Sequence, residues 1–140
     1  MKMKSTIIAM MLLGFVACKK DNEAKPQVGN NKLIGYWLNP VYTDSTVTYG
    51  RVSELKDKNY GIVFKADGTC IERKINGWCG TPPVTYSDYN GTWTMADSVI
   101  SIKVGYWGGV ASYTWKLKSV TTDSLKIVIK EQKFPYPMVD

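Results

Sequence analysis

From residue 33 onward, apolar side chains recur at every second position, and no spacing of i, i+3, i+4, i+7 is sustained over three helical turns. A period of two is that of a strand with one buried face. In Tyr60-Gly61-Ile62-Val63-Phe64-Lys65 the side chains of Tyr60, Ile62 and Phe64 share a face, and Ala66-Asp67-Gly68 supplies a turn toward Thr69. Tyr113, Trp115 and Leu117 alternate with Thr114, Lys116 and Lys118, and Leu125, Ile127 and Ile129 alternate with Lys126, Val128 and Lys130. The pattern predicts strands near 33–38, 47–55, 60–66, 69–76, 88–95, 98–105, 110–118 and 124–131. Strands this short and evenly spaced leave unpaired edges unless the sheet curls shut, so the expected fold is all-β: a single antiparallel up-and-down meander barrel of eight strands. A two-sheet β-sandwich is the alternative.

Before the strands the pattern changes. Lys2 and Lys4 are followed by an almost wholly apolar run over residues 6–16, then Ala17 and Cys18. The order of charged, apolar and small residues is that of a secretory signal. About 11 residues at 1.5 Å each reach about 16 Å, well short of a ~30 Å hydrocarbon core, so a permanent transmembrane helix is not expected. Residues 19–31 are polar, contain Pro26 and Gly29 and lack periodicity, as a flexible tether does. The expected organisation is a leader over 1–17, a cysteine and tether over 18–31, a barrel over 32–134 and a tail over 135–140.

Phe15-Val16-Ala17-Cys18 resembles the lipobox of bacterial lipoproteins, with Phe15 where Leu is usual. The resemblance implies that Cys18 is acylated and becomes the first mature residue, anchoring the chain in a membrane. Lys19 stands where an Asp commonly signals inner-membrane retention, which implies the outer membrane of a Gram-negative cell, on its periplasmic or its surface face. Gly35-Tyr36-Trp37 in the first predicted strand resembles the Gly-x-Trp that opens lipocalin barrels, and the likeness covers roughly residues 33–131. It implies that Trp37 closes the barrel floor and that Gly35 permits close packing there. The family sets an Arg near the end of its last strand against this Trp, where this chain offers only Lys126 or Lys130. Gly91-Thr92-Trp93 and Gly105-Tyr106-Trp107 echo the triplet in different surroundings.

With Cys18 set aside, Cys70 and Cys79 are an even pair in an exported, oxidising setting, and a disulfide between them is expected. Closing about nine residues would stabilise the fold by about 2–3 kcal/mol. The bridge would tie residues 77–88, the longest connection and one rich in Gly, Pro and aromatics, back to a strand. Trp78 and Tyr86 from this loop, with Tyr106 and Trp107 from the Gly-rich turn at 105–109 and Asp88 and Asn90 as polar partners, are the candidate ligand-binding rim.

The composition narrows the chemistry. The chain of 140 residues carries five Trp and nine Tyr but no His, which removes Ser-His-Asp and Cys-His devices and the commonest metal ligand. No phosphate-binding loop, Cys-x-x-Cys or calcium-loop spacing is present, so no cofactor and no metal is expected. Glu72 and Asp88 are carboxylates that nothing in the sequence brings together. The formal charge of +6 includes two lysines of the leader, and with only Arg51 and Arg73 as arginines there is no basic patch for nucleic acid. The expectation is a monomeric, non-catalytic protein held to a membrane by lipid. It would bind either a small apolar molecule in or at the mouth of the barrel, as the lipocalin-like resemblance implies, or a glycan or protein on its aromatic rim.

Overall fold

Inward-facing positions set the strands. The computed structural model describes residues 32–77 and 82–135, and these form β1 (Gly35–Thr43), β2 (Thr46–Val52), β3 (Gly61–Phe64), β4 (Thr69–Ile75), β5 (Tyr86–Ala96), β6 (Val99–Tyr106), β7 (Gly109–Val120) and β8 (Ser124–Lys133). Each overlaps a run that the alternation marks. In β6 the pleat is plain: Ile100, Ile102 and Val104 are buried while Val99, Ser101 and Lys103 are exposed. Cys18, the tether, Trp78, Cys79 and the last five residues lie outside the described residues.

The eight strands close into one antiparallel barrel in the order β1-β2-β8-β7-β6-β5-β4-β3. Direction alternates up and down all the way round, every strand has a paired neighbour on both sides, and the two-sheet sandwich is ruled out. From β3 to β8 neighbours follow chain order. The first two strands do not, because β1 is inserted between β2 and β3: Tyr36 faces Val52 on one side and Val63 on the other. The connection from β2 to β3 therefore lies against the outer wall, where Leu55 sits beside Leu38 and Gly61. That contact explains why Leu38, although outward-facing, is 0% exposed.

A second departure lies in β1, which runs past the expected end at Leu38. The register shifts between Leu38 and Val41, where Asn39 takes a positive φ that Asn tolerates better than most residues and Pro40 needs no ladder partner for an N–H. Beyond this bulge Val41–Thr43 pair with Thr46–Thr48 alone, as the projecting arm of a hairpin on which Val41 and Tyr42 are exposed, while Val47 and Thr48 stay paired with β8 in the wall.

Two ends follow from the strand directions. The floor holds the start of β1 and the β3–β4, β5–β6 and β7–β8 turns, and the mouth holds the projecting hairpin, the β4–β5 loop, the β6–β7 turn and the end of β8. At the floor Trp37 is fully buried and its Nε1 donates to the Leu33 carbonyl at 2.8 Å. Its cationic partner comes from β2 and not from β8: the Arg51 guanidinium lies 4.1 Å from the Trp37 ring centre and donates to the carbonyls of Ile34, at 2.8 Å, and Lys32. Lys126 and Lys130 are exposed. Gly35 makes this possible, since a Cβ there would strike Arg51 Nη1, and its φ of +136° is one that side chains disfavour.

Candidate functional site

Above the floor the lumen is filled by the protein's own rings. Tyr49, Trp115 and Tyr113 stack in a column with centres 5.9 and 6.0 Å apart, and Phe64 packs edge-on against Trp93 at 5.2 Å and Trp115 at 6.3 Å. Small barrels commonly fill their interiors in this way. Trp93 is 2% exposed, and its indole N–H donates to the Lys65 carbonyl at 3.0 Å.

Toward the mouth the lining becomes polar. Alternation along β4 turns Cys70, Glu72 and Lys74 inward and Ile71 and Arg73 outward. Glu72 is 1% exposed, and its carboxylate accepts hydrogen bonds from Lys74 Nζ at 2.6 Å, from the Tyr113 hydroxyl at 3.0 Å and from the Tyr60 hydroxyl. Lys74 also donates to Tyr113 at 3.1 Å and lies 5.3 Å from the Tyr89 ring centre, while Tyr89 donates to Asn76 at 2.9 Å. Burial first, and the Glu72 charge second, hold the Tyr60 and Tyr113 phenols well above their ordinary range, and burial does the same to Tyr49. These hydroxyls are therefore neutral donors, not phenolate nucleophiles. Above them Phe134 packs 5.5 Å from Tyr106 and 5.8 Å from Tyr113, and Tyr106 donates to the Pro135 carbonyl at 2.6 Å, so Phe134 and Pro135 lie against the β6–β7 side of the mouth.

Outside the wall, at the same end, an open hollow of about 600 Å³ is lined by Asp57 and Lys58 of the β2–β3 connection, Arg73 of β4 and residues 84–88. Arg73 and Asp88 meet across the β4–β5 ladder in a two-pronged pair, Nε to Oδ1 at 2.6 Å and Nη2 to Oδ2 at 2.8 Å. The pair raises the Arg73 pKa and lowers that of Asp88. Arg73 Nη1 reaches the Leu55 carbonyl at 3.2 Å and Asp57 at 3.6 Å, which ties the connection to β4.

The expected rim residues are thus divided. Tyr86 and Asp88 line the hollow, Asn90 is exposed farther along β5 opposite Ile71, and Tyr106 is buried in the mouth with the half-exposed Trp107 packed edge-on against it at 5.9 Å. Trp78 lies outside the described residues. Glu72 and Asp88 are on opposite faces of the sheet, one in the lumen and one outside, and so do not form a catalytic pair. Among the described residues, no three acidic or cysteine side chains converge as a metal-ligand set.

Among the described residues no pair of cysteines lies at disulfide distance. Cys70 is a free thiol, 1% exposed, and burial pushes its pKa up to about 12. It faces the lumen near the floor, and β4 then travels five residues, roughly 16 Å at 3.3 Å each, before the loop toward Cys79 leaves at the mouth. Cys79 itself lies outside the described residues.

Arg51, Glu72, Lys74 and Arg73 escaped the reading of the sequence as site residues. Alternation puts Glu72 and Lys74 on the same face as Cys70, and an acid and a base two positions apart on a buried face are a readable sign of an internal ion pair. Compared with known proteins, the chain matches no family model, no curated protein and no solved structure.

Proposed function

We propose that this protein is a lipid-anchored, lipocalin-like, non-catalytic binding module that meets its ligand on the outside of the barrel at the mouth end, beside Arg73, Tyr86 and Asp88. One observation carries the choice of outside over inside: the lumen is occupied by the Tyr49–Trp115–Tyr113 column, Phe64 and Trp93, with the Glu72–Lys74 network and Phe134 above them. An apolar ligand would have to displace rings that already bury their area against one another, and it would strand a charged pair. The hollow on the outer wall needs no such displacement.

The anchor fits this arrangement. Described residues begin at Lys32, on the floor, so the segment carrying Cys18 joins the barrel at the end opposite the hollow. A tether attached there presents the mouth away from the bilayer, and acyl chains at about 0.8 kcal/mol per buried CH₂ hold it in place. The outer membrane is the proposed address.

Titration with an environment-sensitive apolar dye and a series of fatty acids tests the reading. No saturable one-to-one uptake is expected. Stoichiometric binding that quenches tryptophan emission, and that is abolished by narrowing the lumen with Ala111→Leu, would overturn it.

A further inference from the structure

The outer hollow has a charge pattern that selects a chemical class. Its cations are Arg73 and Lys58 and its anions Asp57 and Asp88, so the lining is neutral in sum. All three Arg73 nitrogens are engaged, Nε and Nη2 by Asp88 and Nη1 by the Leu55 carbonyl, with Asp57 at 3.6 Å. A phosphate, sulfate or carboxylate entering the hollow must compete with Asp88 for the Nε–Nη2 edge of Arg73 and meets two carboxylates. What the lining offers is both donors and acceptors: the remaining lone pairs of Asp88 and the exposed Asp57, the Lys58 ammonium, and the hydroxyl-bearing Thr85. Tyr86 adds the amphipathic face of a phenol, and Val84 a small apolar surface.

We propose that this hollow is a subsite for uncharged oligosaccharide, with Asp88 and Asp57 accepting from sugar hydroxyls, Lys58 donating to ring or hydroxyl oxygens, and Tyr86 packing against the C–H face of a ring. This rests on the reading that ligand is met outside the barrel. A hollow of about 600 Å³ falls in the ~300–1,000 Å³ range of small-molecule clefts and exceeds what a single ion needs. The Arg73–Asp88 pair serves as a positioning element, because the guanidinium fixes the carboxylate's rotamer while leaving lone pairs for the ligand. An aliphatic ligand would leave these groups without partners and an anionic one would have to displace Asp88 from Arg73, so the polyhydroxylated neutral class is favoured on both counts.

Calorimetric titration of the full chain in nanodiscs tests the proposal, with three neutral hexasaccharides (gluco-, manno- and galacto-configured) against a heparin hexasaccharide. At least one neutral sugar is expected to bind and the heparin fragment not to. Tyr86→Ala should weaken that binding by about tenfold, with Tyr86→Phe close to wild type. Asp88→Ala, which frees the Arg73 fork, should lose the neutral sugar and gain the heparin fragment. Absence of heat with every neutral sugar, a wild-type preference for heparin, or neutral-sugar binding indifferent to both alanine substitutions would each overturn the proposal. None of those results would admit a ligand to the lumen, so the proposed outside contact fails only by the dye experiment.

Discussion

Arg51 concentrates several roles in one side chain. Its guanidinium covers Trp37, holds the carbonyls of Lys32 and Ile34, and occupies space that Gly35 leaves by having no Cβ. A lysine there would keep the charge but lose the planar fork that serves two carbonyls and a ring at once. We expect Arg51→Ala to lower unfolding stability in urea by about 2–3 kcal/mol, combining a partly desolvated cation–π contact with two charge-assisted hydrogen bonds, and Arg51→Lys to recover less than half of that. Equal stability of Arg51→Lys and wild type would mean that only the charge matters. The Gly-x-Trp triplet holds the tryptophan that Arg51 covers. It could not point to Arg51, because a cation on β2 reaches Trp37 only after β2 and β1 have paired.

Among the elements, the second Gly-x-Trp repeats the logic of the first, while the third does not. Gly91 and Trp93 both face the lumen from β5, as Gly35 and Trp37 face it from β1, whereas Trp107 sits in the β6–β7 turn and is 44% exposed. A Cβ on Gly91 would run into the Lys103 carbonyl and come within 2.8 Å of Val104 Cα on β6. Backbone cannot give way as a side-chain tip can, so Gly91→Ala should destabilise the barrel by about 2 kcal/mol, as overpacking does in close-packed interiors. Amide exchange should quicken first along β5 and β6, and uniform protection would contradict this account. The β2–β3 connection shows how one element is held by another: Leu55 packs over Gly61 on the outer wall, and its carbonyl accepts from Arg73. A long polar stretch thereby becomes one side of the hollow.

Across the whole molecule, burial makes the barrel sensitive to base. Cys70, Tyr49, Tyr60 and Tyr113 all keep their protons to higher pH in the fold than their ordinary values allow, chiefly because the lumen disfavours their anions. Once pH passes about 8.5 for the thiol and about 10 for the phenols, the unfolded chain loses protons that the native chain retains. Stability is therefore full below that window and falls as pH rises through it. Urea midpoints should decline steadily from about pH 8.5 upward. The first part of the decline should shrink in Cys70→Ala, and native Cys70 should resist iodoacetamide at pH 8. A flat profile to pH 11 would show that these groups are not buried as described.

The alternation of side chains by itself determined the eight strands and most of their inward faces, because pleat is a local property: once a residue is in a strand, its neighbours two away share its side. Tyr60, Ile62 and Phe64, or Tyr113, Trp115 and Leu117, needed no partner to be assigned a face. The Asp67–Gly68 turn was legible for the same reason, its carboxylate accepting from Thr69 two residues on. Only the tertiary structure decided that β1 lies between β2 and β3, that Arg51 meets Trp37, that Glu72 on β4 is bonded by Tyr113 on β7, and that Cys70 faces the core, away from the loop at the mouth. Each of these depends on which strands adjoin or confront one another across the lumen, and that is set by closing the whole sheet, not by any stretch of the chain read alone.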